Sequence, residues 1–174
     1  MIIIKKANKN QLNEVRNFYY SLIDDMEKRG LIVTWIKDVY PSTNLLKSSI
    51  EKDELYVCYK DESLVSAMIL NHNYNDKYKE IKWDKKLTDQ EILVIHALGV
   101  HPCVIGRGIG KKMVYEAINI AKNSFIKAIR LDVLKSNEPA KKLYLSCGFK
   151  YCGSLPLFYE NTGKQDFEMF ELLL

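Results

Sequence analysis

No apolar run in the 174 residues reaches the ~18 needed to cross a bilayer as a helix. No secretory signal opens the chain either. Met1-Ile2-Ile3-Ile4-Lys5-Lys6 puts its basic residues after a short apolar run, the reverse of a signal's order, and predicts a first strand over residues 2 to 6. Histidine is scarce at three, and the four cysteines have no metal-ligand spacing: Cys147 and Cys152 are five apart, not a C-x-x-C pair. The expectation is reduced thiols, a cytoplasmic protein and no metal. No Pro/Gly/Ser linker, internal repeat or low-complexity tract divides the sequence, so residues 1-174 are expected to form a single domain. The net charge of +4 is a mild excess, spread along the chain with no long cluster and no nucleic-acid motif. The excess suits an anionic small ligand as well as nucleic acid and decides little by itself; with no such motif and no spanning run, neither nucleic acid nor a membrane is expected as a partner.

What is present reads as an ordinary globular chain, with 47% hydrophobic and 28% charged residues. Leu12, Val15, Phe18, Tyr19, Leu22, Ile23 and Met26 recur at helical spacing, which predicts a helix over about 10 to 29, stopped by Gly30. The stretch from Leu31 to Tyr40 reads as irregular. Ser42 or Thr43 caps a second helix through about Lys52. Leu55 to Lys60 and Leu64 to Leu70, split by Asp61-Glu62-Ser63, form a hairpin pattern. Tyr78 to Trp83 reads as a short strand. Ile92 to Val100 is a long apolar strand ended by His101-Pro102. A helix follows to about Asn123, then a strand over 129 to 134. Another helix opens at Ser136-Asn137-Glu138-Pro139 and runs to about Cys147. Phe149 to Tyr151 and Phe167 to Leu173 read as the last two strands. The order is that of a mixed α/β (α+β) domain.

The most informative segment is Gly106-Arg107-Gly108-Ile109-Gly110, set between the long strand and a helix. Glycines allow close backbone approach and left-handed conformations. The helix N-terminus supplies unpaired N–H groups and partial positive charge, and Arg107, Lys111 and Lys112 add more. That combination suits a pyrophosphate. A P-loop would need Ser or Thr where Lys112 stands. A dinucleotide fingerprint would need a third glycine where Met113 or Lys111 stands. A tight turn that binds nothing remains the plain alternative.

The segment from Ile92 to Gly153 resembles the core of the GNAT superfamily of N-acetyltransferases. Gly108-Ile109-Gly110 matches the glycine part of the family's [QR]-x-x-G-x-[GA] turn, with Ile105 replacing the usual Gln or Arg. Asn137, Tyr144 and Gly148-Phe149 match the spacing of its later helix. Trp35 to Pro41 and His96 to Pro102 resemble stretches of a bacterial subset of that family. The resemblance implies a GNAT-like, mostly antiparallel mixed sheet with one splayed parallel strand pair and about four flanking helices. It also implies one acetyltransferase domain using acetyl-CoA as co-substrate. By that resemblance, backbone groups of Leu98, Gly99 and Val100 pair with the pantetheine arm, with a bulge suited to Gly99. Ile105, Gly106, Arg107, Gly108, Ile109, Gly110 and Lys111 hold the pyrophosphate, and Asn137 bonds the pantetheine amide.

Acetyl transfer needs a neutral amine, a polarised thioester carbonyl and a proton for the departing thiolate. Tyr144 is the candidate acid. By spacing alone a core tyrosine, one of 11 in the chain, is the stronger reading, and the resemblance turns the balance to the acid. His96 is the candidate base, with Glu91 or a water chain as alternatives. Trp35, Tyr40 and Trp83 are candidate acceptor-binding aromatics. The acceptor would be an amine of a small molecule or peptide. A non-catalytic CoA-binding module is the competing reading. The strand at Phe167 to Leu173 is a candidate surface for a homodimer.

Overall fold

The computed structural model describes residues 1–31 and 34–174. Seven strands run in the order β1-β2-β3-β4-β5-β7-β6. They are β1 (Ile2–Lys6), β2 (Leu55–Lys60), β3 (Ser63–Asn71), β4 (Ile92–Val100), β5 (Ala128–Leu134), β6 (Lys150–Tyr159) and β7 (Gly163–Leu173). Four α-helices accompany them: α1 (Leu12–Lys28), α2 (Thr43–Glu51), α3 (Ile109–Lys122) and α4 (Glu138–Ser146). The chain divides into two compact units. The first is Met1–Leu70, His96–Met113 and Glu160–Thr162; the second is Asn71–Ile95, Val114–Tyr159 and Gly163–Leu174.

In the first unit, α1 turns the predicted face inward: Val15, Phe18, Tyr19, Leu22 and Ile23 are buried. Each large apolar side chain so buried contributes about 1.5–3 kcal/mol. Gly30 ends the helix in the left-handed conformation (φ 64°), with its N–H on the carbonyl of Glu27 and that of Leu31 on the carbonyl of Met26. This is the glycine stop the sequence predicts. Residues 32 and 33 of the stretch read as irregular lie outside the described residues. Ser42 caps α2 by accepting from Leu45 N–H at 3.1 Å. The core joins Leu46 and Ile50 of α2 to Leu55 and Val57 of β2, Ala67 and Ile69 of β3, and Ala97 of β4. The β2–β3 hairpin closes through Asp61 and Glu62, both at positive φ (47° and 68°).

In the second unit, β4 and β5 are the parallel pair, in register from Ile92–Val94 to Ala128–Arg130. β7 is paired on both edges, antiparallel to β5 and to β6. Phe167 to Leu173, the stretch considered for a homodimer, is thus an inner strand whose backbone pairs with β5 and, up to Glu171, with β6. Three elements differ from the sequence reading. Tyr78 to Trp83 is not a strand: residues Asp76–Glu80 form a 3-10 helix capped by Asn75, which accepts from Lys77 N–H at 3.1 Å. The last strands are far longer than their apolar cores. Pro156 pairs with Asp166 inside β6, where its missing N–H is tolerated on an outer strand.

Candidate functional site

β4 carries the first part of the site, and its geometry is irregular where the chemistry is expected. Ala97 lies in the left-handed region (φ 49°). That conformation costs a Cβ-bearing residue about 1–2 kcal/mol, and such strain concentrates at functional positions. The left-handed position is thus Ala97, two residues before the Gly99 that the resemblance marks for a bulge. The Tyr19 hydroxyl holds it, donating to the Ala97 carbonyl at 2.7 Å. Burial, and then the nearby Tyr40, push the Tyr19 hydroxyl well above the ordinary tyrosine pKa, so it remains a donor.

Gly99 serves a different need. A Cβ there would meet Leu22 Cδ1 at 3.0 Å and Trp35 Cζ3 at 3.1 Å. The glycine lets Trp35 lie directly against the strand. Trp35 also packs edge-on against Tyr19 (5.6 Å) and Tyr40 (6.3 Å). Two predicted acceptor aromatics, Trp35 and Tyr40, are therefore in one cluster. Asn161, which the sequence did not single out, joins this segment by donating to the carbonyl of Thr34 at 2.8 Å.

The backbone of β4 past Ala97 divides by alternation. The Gly99 carbonyl accepts from the Ser66 hydroxyl at 2.6 Å, and His101 N–H donates to Val65 at 2.9 Å. Residues 99 and 101 thus address β3, and the backbone groups of Leu98 and Val100 are directed to the other edge of β4. His96 sits just before the left-handed residue, partly buried.

Beyond β4, Pro102–Val104 form one 3-10 turn, and the glycine segment follows. Gly106 (φ 79°) and Gly108 (φ 73°) are left-handed, and a Cβ at either would meet nothing within 4 Å. Conformation demands glycine there, and the space over both is open to a ligand. The N–H groups of Ile105 and Arg107 bond the carbonyls of Pro102 (3.3 Å) and Val104 (3.2 Å). Of the N–H groups expected to act from Ile105 to Gly110, two are therefore taken within the turn, and those of Ile109 and Gly110 lie in the first turn of α3. Arg107, Lys111 and Lys112 are exposed around it, and the Ile105 side chain is 61% exposed.

In the second unit, Asn137 caps α4, its side-chain oxygen accepting from Ala140 N–H at 3.2 Å. The cap uses the oxygen and leaves the amide nitrogen as a donor. Tyr144 is buried on α4, 7% exposed, with its ring edge-on to Phe149 at 5.5 Å. Trp83 lies elsewhere in this unit. Its indole N–H donates to the Tyr78 carbonyl at 2.7 Å, and its ring stacks on Arg130 at 4.2 Å. Glu91, the alternative base, has its carboxylate held below the usual range by hydrogen bonds from the Thr88 backbone and hydroxyl. Among the described residues, no group of three or more His, Cys, Asp or Glu side chains is gathered for a metal, and no helix is long and apolar enough to cross a membrane.

The sequence model described as the Acetyltransferase (GNAT) family matches residues 16–149. The chain belongs to the GNAT acetyltransferase family. The match takes in most of α1, the irregular β4, the glycine turn with α3, and α4 with Tyr144. An N-alpha-acetyltransferase, RimI, of Mycobacterium tuberculosis is 32% identical over 75 residues, 43% of this chain and 46% of that protein. The chain spans less than half the length of the curated relatives it matches. Among solved structures, a GNAT-family acetyltransferase of Streptococcus agalactiae aligns with a TM-score of 0.81 at 18% identity, covering 99% of this chain and 95% of that one. A Salmonella typhimurium structure solved with acetyl-CoA aligns at 0.72 and 16% identity, covering 99% and 94%. These likenesses establish the GNAT fold for a mixed sheet with a parallel β4–β5 pair and four helices.

Proposed function

We propose that the chain transfers the acetyl group of acetyl-CoA directly to a primary amine of a small molecule or peptide, as one acetyltransferase domain. The observation that carries the reading is the turn at 106–110. Its two left-handed glycines, unhindered N–H groups and flanking cations form an anion cradle inside the segment that matches the family. In this reading the cradle holds the pyrophosphate, with Arg107 and Lys111 neutralising charge. Leu98 and Val100 give backbone groups to the pantetheine arm, and the Asn137 amide nitrogen donates to it. Gly99 contributes by admitting Trp35 and by its place in the strand rather than through its carbonyl.

The neutral amine attacks the thioester carbon, the carbon–nitrogen bond forms, and the carbon–sulfur bond breaks. Tyr144 gives its phenolic proton to the departing thiolate, and His96 removes the proton from the attacking nitrogen. Trp35 and Tyr40 form the aromatic wall against which the acceptor lies. Trp83 is committed to Arg130 and Tyr78, so the acceptor site rests on the first two. A peptide α-amine belongs among the acceptors to be tried, because one relative is an N-alpha-acetyltransferase.

The test has two parts. Calorimetry with acetyl-CoA, coenzyme A and ATP is expected to give binding of the first two. Thiol release from acetyl-CoA across a panel of amino acids, polyamines and peptides is then expected to rise with at least one acceptor. Tight ATP binding without coenzyme A binding refutes the proposal.

A further inference from the structure

The positive charge of the chain is less evenly spread than its net value of +4 implies. Lys77, Lys79, Lys82, Lys85 and Lys86 fall within ten residues. The fold of the second unit gathers four of them with Arg130 around one cavity of about 420 Å³. We infer that this cavity is a second ligand site, which binds a small polyanion carrying phosphate or carboxylate groups.

Arg130 is the fixed point. It is 5% exposed, its Nε donates to Glu171 at 2.8 Å, and its Nη2 donates to the Lys85 carbonyl at 3.1 Å. Trp83 covers its plane at 4.2 Å. A buried ion pair of this kind adds little net stability, because the desolvation of both charges offsets their attraction. What it does is hold the guanidinium rigidly, and Nη1 has no acceptor among the described residues. The Glu171 carboxylate is satisfied as well, its second oxygen accepting from Asp84 N–H at 3.3 Å.

Around this fixed donor the cations exceed the anions. Glu171 balances Arg130, and Asp76 pairs with Lys79 at 3.0 Å. The one carboxylate lining the cavity, Asp89, accepts the Tyr74 hydroxyl. Lys82, Lys85 and Lys86 have no carboxylate partner among the described residues. Three ammonium groups on one cavity repel one another, and an anion between them removes that repulsion. The remaining wall is flat and rigid: Tyr74 and Tyr78 stack at 5.3 Å, and Tyr78 meets Trp83 at 5.8 Å. The volume lies in the range of small-ligand sites, roughly 300–1,000 Å³. This cavity is lined by the β3–β4 connection, Ile92 and Arg130, and shares no residue with the turn at 106–110.

The test is calorimetry on the full chain with inorganic pyrophosphate and with citrate, in about 0.15 M salt to screen loose surface attraction. Coenzyme A is kept saturating. Two variants accompany the parent, Lys82→Ala/Lys85→Ala/Lys86→Ala and Arg107→Ala/Lys111→Ala. The first is expected to weaken the bound polyanion by about tenfold or more, the scale of one lost charge-assisted contact. The second is expected to leave it unchanged, whether or not coenzyme A binds. Whichever of pyrophosphate and citrate binds more tightly assigns the site to phosphates or to carboxylates. Equal affinity of parent and lysine variant overturns the inference, as does failure of both polyanions to bind.

Discussion

Gly99→Ala puts one methyl group into the tightest approach on β4. It would stand 3.0 Å from Leu22 Cδ1 and 3.1 and 3.3 Å from the Trp35 ring. Neither neighbour yields freely. Leu22 is 1% exposed in the core, and Trp35 is wedged between Tyr19 and Tyr40. Carbon atoms pack at about 3.5–4.0 Å, so something must move by about half an ångström. Overpacking of this kind costs about 1–3 kcal/mol. For a chain of this length that lowers the melting temperature by about 2–12 °C. The measurement is thermal or urea unfolding of parent, Gly99→Ala, Leu22→Val and the double variant. Leu22→Val removes the nearest carbon, so the double variant should lose less than the sum of the singles, with a coupling of about 0.5–2 kcal/mol. If Trp35 moves instead, the acceptor KM rises while acetyl-CoA binding holds. A Gly99→Ala protein with parental stability and kinetics would falsify the close-approach argument.

Tyr144→Phe keeps the ring packed on Phe149 and removes only the hydroxyl; kcat should fall by ~10²–10⁴-fold with acetyl-CoA affinity nearly unchanged. Unaltered turnover in a single-turnover thiol-release assay removes the acid role. His96→Ala should shift the pH–rate profile, and a profile superimposable on the parent's assigns the histidine to structure. Asn137 has two separable roles: Asn137→Ala should cost about 0.5–2 kcal/mol through the lost cap of α4. Asn137→Asp keeps the cap but not the amide donor, so parental stability with a raised KM for acetyl-CoA is expected; a parental KM would show that the amide does not touch the cofactor.

The parts of the fold legible in the sequence are those marked by punctuation. Gly30, Ser42, the His101-Pro102 pair and Asn137-Glu138-Pro139 each impose a local conformation through their own covalent structure, and the elements begin and end beside them. The glycine turn was legible for the same reason. What could not be read depends on partners distant in the chain. β6 runs through Gly153 and Pro156, which locally signal a break. The long pairing with β7 overrides that signal, and the alternation of buried Leu155 and Leu157 is hidden because Pro156 stands between them. Tyr78 to Trp83 carries three large apolar residues that suggest a short strand, yet Asn75 turns its start into a 3-10 helix. Nothing in an alanine announces a left-handed conformation, so Ala97 could not be foreseen; Tyr19, far away in the sequence, holds its carbonyl. The lysine cavity was missed because acids alternate with its cations in the sequence, and Arg130 arrives from another strand.

The two residues flanking Leu98 show how β4 separates two demands that a single glycine might have met. Left-handed backbone at 97 would be relaxed by glycine, yet the chain keeps an alanine there, 8% exposed and packed in the core. At 99 the backbone does not require glycine by its φ, but the neighbours do. A methyl group at 97 anchors the distorted residue against the core while the Tyr19 hydroxyl fixes its carbonyl. The missing methyl at 99 brings Trp35 onto the strand two residues later. The conformational kink and the aromatic contact are thereby set independently. The Gly99 and His101 bonds to β3 leave the Leu98 and Val100 backbone groups to the other edge by alternation, and the wall proposed for the acceptor follows from the aromatic contact.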